Sequence, residues 1–385
     1  MYTLIRYNKN LDEKLMRLFY RSLFFSRDEI EYVKEPTWIW RYRESKKYIR
    51  ILSDGKNPVG SLGAIPTTVK VNDKMYKVAV IVDNCIEPGN SNDFERIFSH
   101  LFDDLLKSLE KDGFDIIALW DYEAKFNHHK LFYNNLNFRT IKNVNWSIAG
   151  IEYNHSSPKK WRGKNQKLIK LFYHYLKLSN KFTLNRKIQK RTENLKIRHC
   201  TDADVQRIIN FISKIDTSHR MLVNYSKHSL NKLRKEIGLD LIIAELDNDI
   251  VGVISYFISP WTGMMYGKPI HDDWEKFYTL TIDEFIVDDK LVFSEVPALL
   301  IEELIKVRQS HHRYKIKLSG MIVDLVDRED EFRHTLYKKY GFMEPSFDKG
   351  LLLVRKINNR FPIDSIKSWH LPNRMILAPI PEKML

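Results

Sequence analysis

The chain has 385 residues, of which 43% are hydrophobic and 12% aromatic, a balance that fits folded domains with their own cores and excludes a disordered polymer. No apolar run approaches the roughly 20 residues that a membrane span needs, and Met1-Tyr-Thr-Leu-Ile-Arg-Tyr7 lacks the basic and apolar regions of a secretion signal. Cys85 and Cys200 have no metal-ligand spacing, so the expected setting is the reducing cytoplasm, with no metal site.

In chain order, Asp12 to Phe25 carries Leu15, Leu18, Phe19 and Leu23 at helical spacing. Tyr48 to Leu52, Val59 to Val71 and Met75 to Ile86 read as strands, separated by turn signals at Asp54-Gly55 and Asn72-Asp73. Phe94 to Lys111 is amphipathic and starts at Asn92 or Asp93, residue types that cap helices. Asp115 to Trp120 is a buried strand, His128 to Asn135 a short helix, and Phe138 to Ile151 a strand. After a gap the order returns. Asp202 to Ile215 is a helix; Leu241 to Leu246 and Ile250 to Ser259 form a hairpin across Asp247-Asn248-Asp249; Lys276 to Asp288 is a strand. Pro297 opens a helix that runs to about His311, where proline is tolerated in the first turn. Lys315 to Val323 is a strand, Glu329 to Lys339 a helix, and Gly350 to Ile357 a strand. Pro260 to Glu275 has no counterpart in the first copy and reads as a surface hairpin with packed aromatics, or as a substrate-side loop.

The copies share words as well as order. Ile5-Arg6-Tyr7 returns as Ile197-Arg198-His199, and Asp54-Gly55-Lys56-Asn57-Pro58-Val59-Gly60 as Asp247-Asn248-Asp249-Ile250-Val251-Gly252. Each copy closes on an octapeptide, Leu131-Phe-Tyr-Asn-Asn-Leu-Asn-Phe138 and Thr335-Leu-Tyr-Lys-Lys-Tyr-Gly-Phe342. This period is too long for a solenoid, so it describes two related globular units in tandem.

The order of elements, the Asp-Gly-Lys…Val-Gly hairpin and the Leu-Tyr-x-x-x-Gly-Phe close resemble the GNAT acyltransferase superfamily. Leu336 to Phe342 fits that close in full, whereas Phe132 to Phe138 has Asn137 in place of glycine, the next-best residue for a left-handed helix end. Val82-Asp83-Asn84-Cys85-Ile86-Glu87-Pro88 also resembles a subgroup pattern, Val-Asp-x-x-x-x-Pro, ahead of the central helix. The resemblance implies an α/β (α+β) protein of two tandem GNAT-like domains, each a mixed, mainly antiparallel twisted sheet flanked by helices. The expected division is 1–153 and 195–385, joined by a basic helical linker at 154–194.

A GNAT enzyme implies acetyl-CoA or another acyl-CoA as co-substrate and an amine of a small molecule or peptide as acceptor. Its pyrophosphate sits on backbone N–H groups at a helix N-terminus, where orphan donors and the helix dipole favour anions. The family's glycine-rich loop is absent from both copies. The first offers Gly89, Asn90, Ser91, Asn92 and Arg96, flanked by Ile86 and Ile97, while Asp288 to Glu295 of the second has three acids and no glycine. The first copy is therefore the expected acyl-CoA site. Tyr133 and Tyr337 occupy the family's general-acid position, and Asp83 and Glu284 the strand position of a general base. The competing structural readings are packed tyrosines with bonded hydroxyls and solvated strand carboxylates. His128 and His129 read as an exposed pair on a short surface helix.

The net charge of +14 is concentrated between the copies: Pro158 to Arg198 holds fourteen Lys or Arg against one acid, Glu193. Aromatics interleave with these lysines, and Lys164 to Phe182 reads as an amphipathic helix. It can pack between the units, meet a polyanion such as tRNA, or lie on an anionic membrane surface. With tRNA as partner, an aminoacyl-tRNA-dependent transferase is the alternative enzyme; a catalytically inactive pair acting as a binding or assembly module is the non-enzymatic alternative. Oligomeric state is not legible in the sequence.

Overall fold

The computed structural model describes residues 2–15, 17–18, 46–150, 193–218, 220–261, 264–265, 268–269, 277–309, 318–343 and 349–375. The expected Lys164–Phe182 helix, and all of the basic linker but residues 193–194, lie outside these residues. In the first half, β1 (Thr3–Arg6), β2 (Arg50–Ser53), β3 (Pro58–Val71) and β4 (Lys74–Ile86) form an antiparallel series. Helix α1 (Phe94–Lys111) then crosses to β5 (Ile116–Tyr122), parallel to β4, and α2 (Glu123–His128) and α3 (Lys130–Asn135) lead to β6 (Arg139–Gly150).

The second half repeats the plan. It runs β7 (Leu195–His199), α4 (Val205–Lys214), β8 (Arg220–Val223), α5 (Lys227–Ile237), β9 (Asp240–Leu246) and β10 (Asp249–Trp261). A two-strand ribbon, β11 (Met264–Met265) with β12 (Lys268–Pro269), falls within the inserted segment. There follow β13 (Phe277–Val287), α6 (Val296–Gln309), β14 (Leu318–Asp327), parallel to β13, and α7 (Glu331–Lys339), β15 (Phe342–Met343), β16 (Lys349–Lys356) and β17 (Ser368–Trp369). This is the expected α/β arrangement of two GNAT-like units. Strand β8 and helix α5 went unread in the sequence. Ser226 caps α5 by accepting from the Ser229 N–H at 3.0 Å, and Gly238 ends it at φ 59°.

Local chemistry explains the shared words. The hairpin turns Asn72-Asp73 and Asp247-Asn248 both adopt the left-handed pair of φ angles that a two-residue connection needs, 47° and 59° in the first, 51° and 69° in the second. The seventh residues of the two octapeptides, Asn137 at φ 59° and Gly341 at φ 75°, both take the left-handed conformation, so asparagine does the work of glycine. Gly60 and Gly252 serve a different need. A Cβ on Gly60 would stand 2.6 Å from Ile97 Cγ2, and one on Gly252 3.0 Å from Leu300 Cδ1. Each central helix, α1 or α6, therefore rests on bare strand backbone.

Neither half closes its sheet with its own last strand. The order is β1-β2-β3-β4-β5-β16-β6-β14-β13-β10-β9-β7, one continuous sheet through both halves. Strand β16, the last long strand of the second half, lies against β5 from Gly350↔Tyr122 to Lys356↔Ile116, and β6 of the first half lies against β14 from Met321↔Gly150 to Asp327↔Val144. Leu351 and Leu353 of β16 enter the core under α1, while Leu352 and Val354 enter a second core that runs beneath both halves. A third core lies between the sheet and α6. Burying one such side chain contributes about 1.5–3 kcal/mol, so the exchanged strand is a main element of the first half's stability.

Leu353→Ala should therefore cost about 2–5 kcal/mol in chemical denaturation, and residues 1–153 expressed alone should show no cooperative thermal transition. A cooperative melt of that fragment would show β16 to be dispensable.

Candidate active site

In each half the two central parallel strands pair at one end and then part. Strands β4 and β5 pair from Val78↔Ile116 to Ile81↔Leu119; beyond that, β4 continues to Ile86 and β5 to Tyr122 without pairing to each other. Strands β13 and β14 pair as far as Thr281↔Val323, then continue to Val287 and Asp327. A bulge sits at the parting in both: β4 gains one residue against β3 between Val82 and Cys85, and β13 gains one against β10 between Ile282 and Glu284. The pairs Gly60↔Ile86 and Gly252↔Val287 align the halves, and in this alignment Asp83 and Glu284 are equivalent positions.

The first gap is followed by a 3-10 segment, Pro88–Asp93, and the start of α1. Gly89 is exposed, with open space where a Cβ would stand, and the Asn90 N–H donates to the Glu87 carbonyl at 2.8 Å. Ser91 and Asn92 continue this segment, and Asn92 is exposed. Asp93 makes no side-chain cap to α1; it binds Arg96 at 2.7 Å, and the Arg96 guanidinium lies 5.4 Å from the Tyr2 ring centre. Ile86 and Ile97 are core residues, so their side chains are closed to a ligand, and the Ile97 N–H, fourth in α1, is used within the helix by the carbonyl of the N-cap residue Asp93. His129 is not the free surface histidine expected. Its ring packs 4.4 Å from Phe94 and its Nδ1 lies 3.1 Å from Glu95, beside the start of α1.

The corresponding helix start in the second half is occupied by its own side chains. Ser294 accepts from the Val296 N–H at 3.1 Å, Asp288 accepts from the Lys290 N–H at 2.9 Å, and Asp289 is paired to Arg220.

Tyr133 and Tyr337 turn out to make the same contact. The buried Tyr133 hydroxyl donates to Asp121 at 2.6 Å, and the buried Tyr337 hydroxyl to Asp324 at 2.5 Å. Burial, reinforced by the adjacent carboxylate, holds both phenols well above their ordinary range. In this geometry the hydroxyl hydrogen is committed to an aspartate on the neighbouring strand. Asp121 and Asp324 were missed in the sequence, although each precedes its tyrosine by nearly the same interval, 12 and 13 residues.

The second gap is bridged by the chain's C-terminal segment. Asn373 donates from Nδ2 to the Ile282 carbonyl and to Asp324, both at 2.7 Å, joining the two strands just past their last pair. Arg374 is buried; its N–H and guanidinium bind Asp283, and it donates to the Tyr225 hydroxyl at 2.7 Å. Tyr225 in turn donates to Glu284 Oε2, whereas Glu284 Oε1 is buried with no hydrogen-bond partner among the described residues. A cavity of about 40 Å³ remains between the strands, lined by Glu284, Asp324, Asp327, Asp330 and Arg333 among others. Burial lifts the Glu284 carboxyl from 4.5 to about 7, with Arg374 opposing the rise and Asp283 adding to it.

Two outcomes follow. Tyr133→Phe and Tyr337→Phe should each lower stability by about 1–3 kcal/mol in urea, because each leaves a buried aspartate short of a donor; loss of activity at unchanged stability would instead mark a proton donor. Glu284 binds its proton more tightly when folded than unfolded. Its contribution to stability is therefore full below about pH 4.5 and is lost as pH rises through about 7. Glu284→Gln should flatten the decline in melting temperature across that interval, and an unchanged profile would refute the assignment.

No family model matches the sequence, and no curated protein matches it. Solved structures do match in fold. The GCN5-related N-acetyltransferase of Kribbella flavida is similar over 93% of this chain and 71% of its own, at 11% identity and a TM-score of 0.53. That of Anabaena variabilis ATCC 29413 is similar over 93% and 73%, at 10% identity and a TM-score of 0.52. Saccharomyces cerevisiae N-myristoyltransferase with bound myristoyl-CoA is similar over 92% and 78%, at 10% identity and a TM-score of 0.58. The chain thus has the fold of the GNAT N-acetyltransferases and N-myristoyltransferases.

Proposed function

We propose that this protein is an N-acyltransferase that moves an acyl group from acyl-CoA to an amine, with acyl-CoA held by the first half. The observation that carries the reading is the contrast between the gaps. Beside the first, strands part next to a helix start without a side-chain cap; in the second, Asn373 ties the strands and Ser294 caps the helix.

In this reading the segment from Gly89 to Asn92 and the N–H groups of α1 that precede Ile97 receive the pyrophosphate. Asp93 and Glu95 are there, but each is paired with a base, Arg96 or His129, which limits their repulsion of an anion. The acyl chain enters between β4 and β5, where no interstrand bonds need to be broken. The second half contributes the acceptor side. Its acidic cavity suits an amino group of the acceptor, and Glu284, held near neutrality, can take up that group's proton; with four strands between β4 and β13, it does so away from the reacting carbon. Asp83, at the equivalent position of β4, is the corresponding base of the first half. Tyr133 serves this site by fixing Asp121 and the end of β5; Tyr337 does the same for β14. The acyl group is acetyl or a longer chain, and the compartment is the cytoplasm.

Calorimetric titration with acetyl-CoA and with myristoyl-CoA tests the reading and sorts the acyl group. Binding of one of them at micromolar to sub-millimolar concentration is expected, weakened about tenfold by Gly89→Val combined with Arg96→Ala. Binding of neither at millimolar concentration would refute it.

A further inference from the structure

Asn84 lies in the part of β4 that has left β5, three residues beyond the last pair, Ile81↔Leu119, and within the bulge against β3. Its side-chain Nδ2 is shielded from solvent and has no hydrogen-bond partner among the described residues. A buried amide donor left unpaired is costly, and native proteins keep few of them. One that persists at the edge of a gap marks a place where something else supplies the acceptor.

The surroundings say what kind of acceptor fits. Strand alternation puts Asn84 on the same face as Ile86, which packs in the core under α1. Tyr133 belongs to that same core and binds Asp121 of β5, so the Asn84 amide and the Tyr133–Asp121 pair stand on one face, on opposite sides of the gap. The Asp121 carboxylate already receives the Tyr133 hydroxyl. On this face of β4, past the parting, the unpaired group is thus a neutral donor whose missing partner is an oxygen.

We propose that the Asn84 side-chain amide binds the carbonyl oxygen of the acyl thioester. This rests on the acyltransferase reading above and adds to it a residue that touches the reacting group. In the transfer, the amine nitrogen bonds to the carbonyl carbon, the carbon–sulfur bond breaks, the amine's proton leaves to a base, and the CoA thiolate takes up a proton to leave as the thiol. Negative charge collects on the carbonyl oxygen along the way. A donor fixed there before reaction stabilises that charge without having to reorganise.

The test uses the full chain and two ligand pairs, acetyl-CoA with S-ethyl-CoA and myristoyl-CoA with S-tetradecyl-CoA. The second member of each pair lacks the carbonyl oxygen. The wild type should bind the thioester of its preferred pair about tenfold more tightly than the thioether. Asn84→Leu should bring that ratio to about one and leave thioether affinity unchanged. Asn84→Asp, closer in shape, should lower kcat about a hundredfold with the KM for the amine unchanged. A thioester preference that survives in a folded Asn84→Leu protein would overturn the proposal while leaving the acyltransferase reading intact; the amide would then be serving a trapped water. Failure of the wild type to bind either pair would overturn both.

Discussion

The position of β16 is the constraint on which the rest of the molecule depends. A strand that parts from its neighbour exposes backbone N–H and C=O groups along one edge. Strand β5 can leave β4 after Leu119 because its other edge remains paired to β16 as far as Gly350↔Tyr122. Strand β14 can leave β13 because β6 holds its far edge as far as Asp327↔Val144. Each gap is thus held open by a strand that the other half supplies. Gly350 shows how closely the exchanged strand is fitted, since a Cβ there would fall 2.5 Å from the Trp120 indole.

On this common frame the halves have diverged in what fills the gap. Both retain the glycine under the central helix, the bulge at the parting and the buried tyrosine–aspartate pair. These features hold the frame in shape, and their agreement carries no information about chemistry. The differences lie in the fill. The second half packs a buried arginine and asparagine against three carboxylates, a polar core whose charges are matched largely within itself. Such a core is costly to assemble and specific in its arrangement. The first half has, past its parting, an unpaired amide at Asn84 and a helix start without a side-chain cap.

Much of the frame was legible in the sequence, because turns and close approaches require particular residue types. Asn72-Asp73, Asp247-Asn248, Asn137, Gly341, Gly60 and Gly252 all stand where a left-handed φ or a missing side chain is needed. The exchange of β6 and β16 was not legible. An alternating apolar strand carries no mark of which edge it will join, and Leu351 and Leu353 would suit the core under either central helix. The site was legible in part. The sequence identified Tyr133, Tyr337 and Glu284 by position, but their partners Asp121, Asp324, Tyr225 and Arg374 are set by folding contacts up to 149 residues apart. The closing segment at Asn373 was invisible for the same reason.

The interlaced last strands also bear on how the molecule comes into being on the ribosome. When β5 emerges, its permanent neighbour β16 lies more than two hundred residues further along the chain, still untranslated. The nascent first half must wait with one sheet edge bare while the second is made, a delay of roughly ten to fifty seconds at ordinary elongation rates. Bare edges pair with whatever strand arrives first. The same topology that lets a gap stand open in the finished protein therefore leaves a sheet edge exposed throughout its synthesis, and a chain terminated after the first half would keep that edge bare.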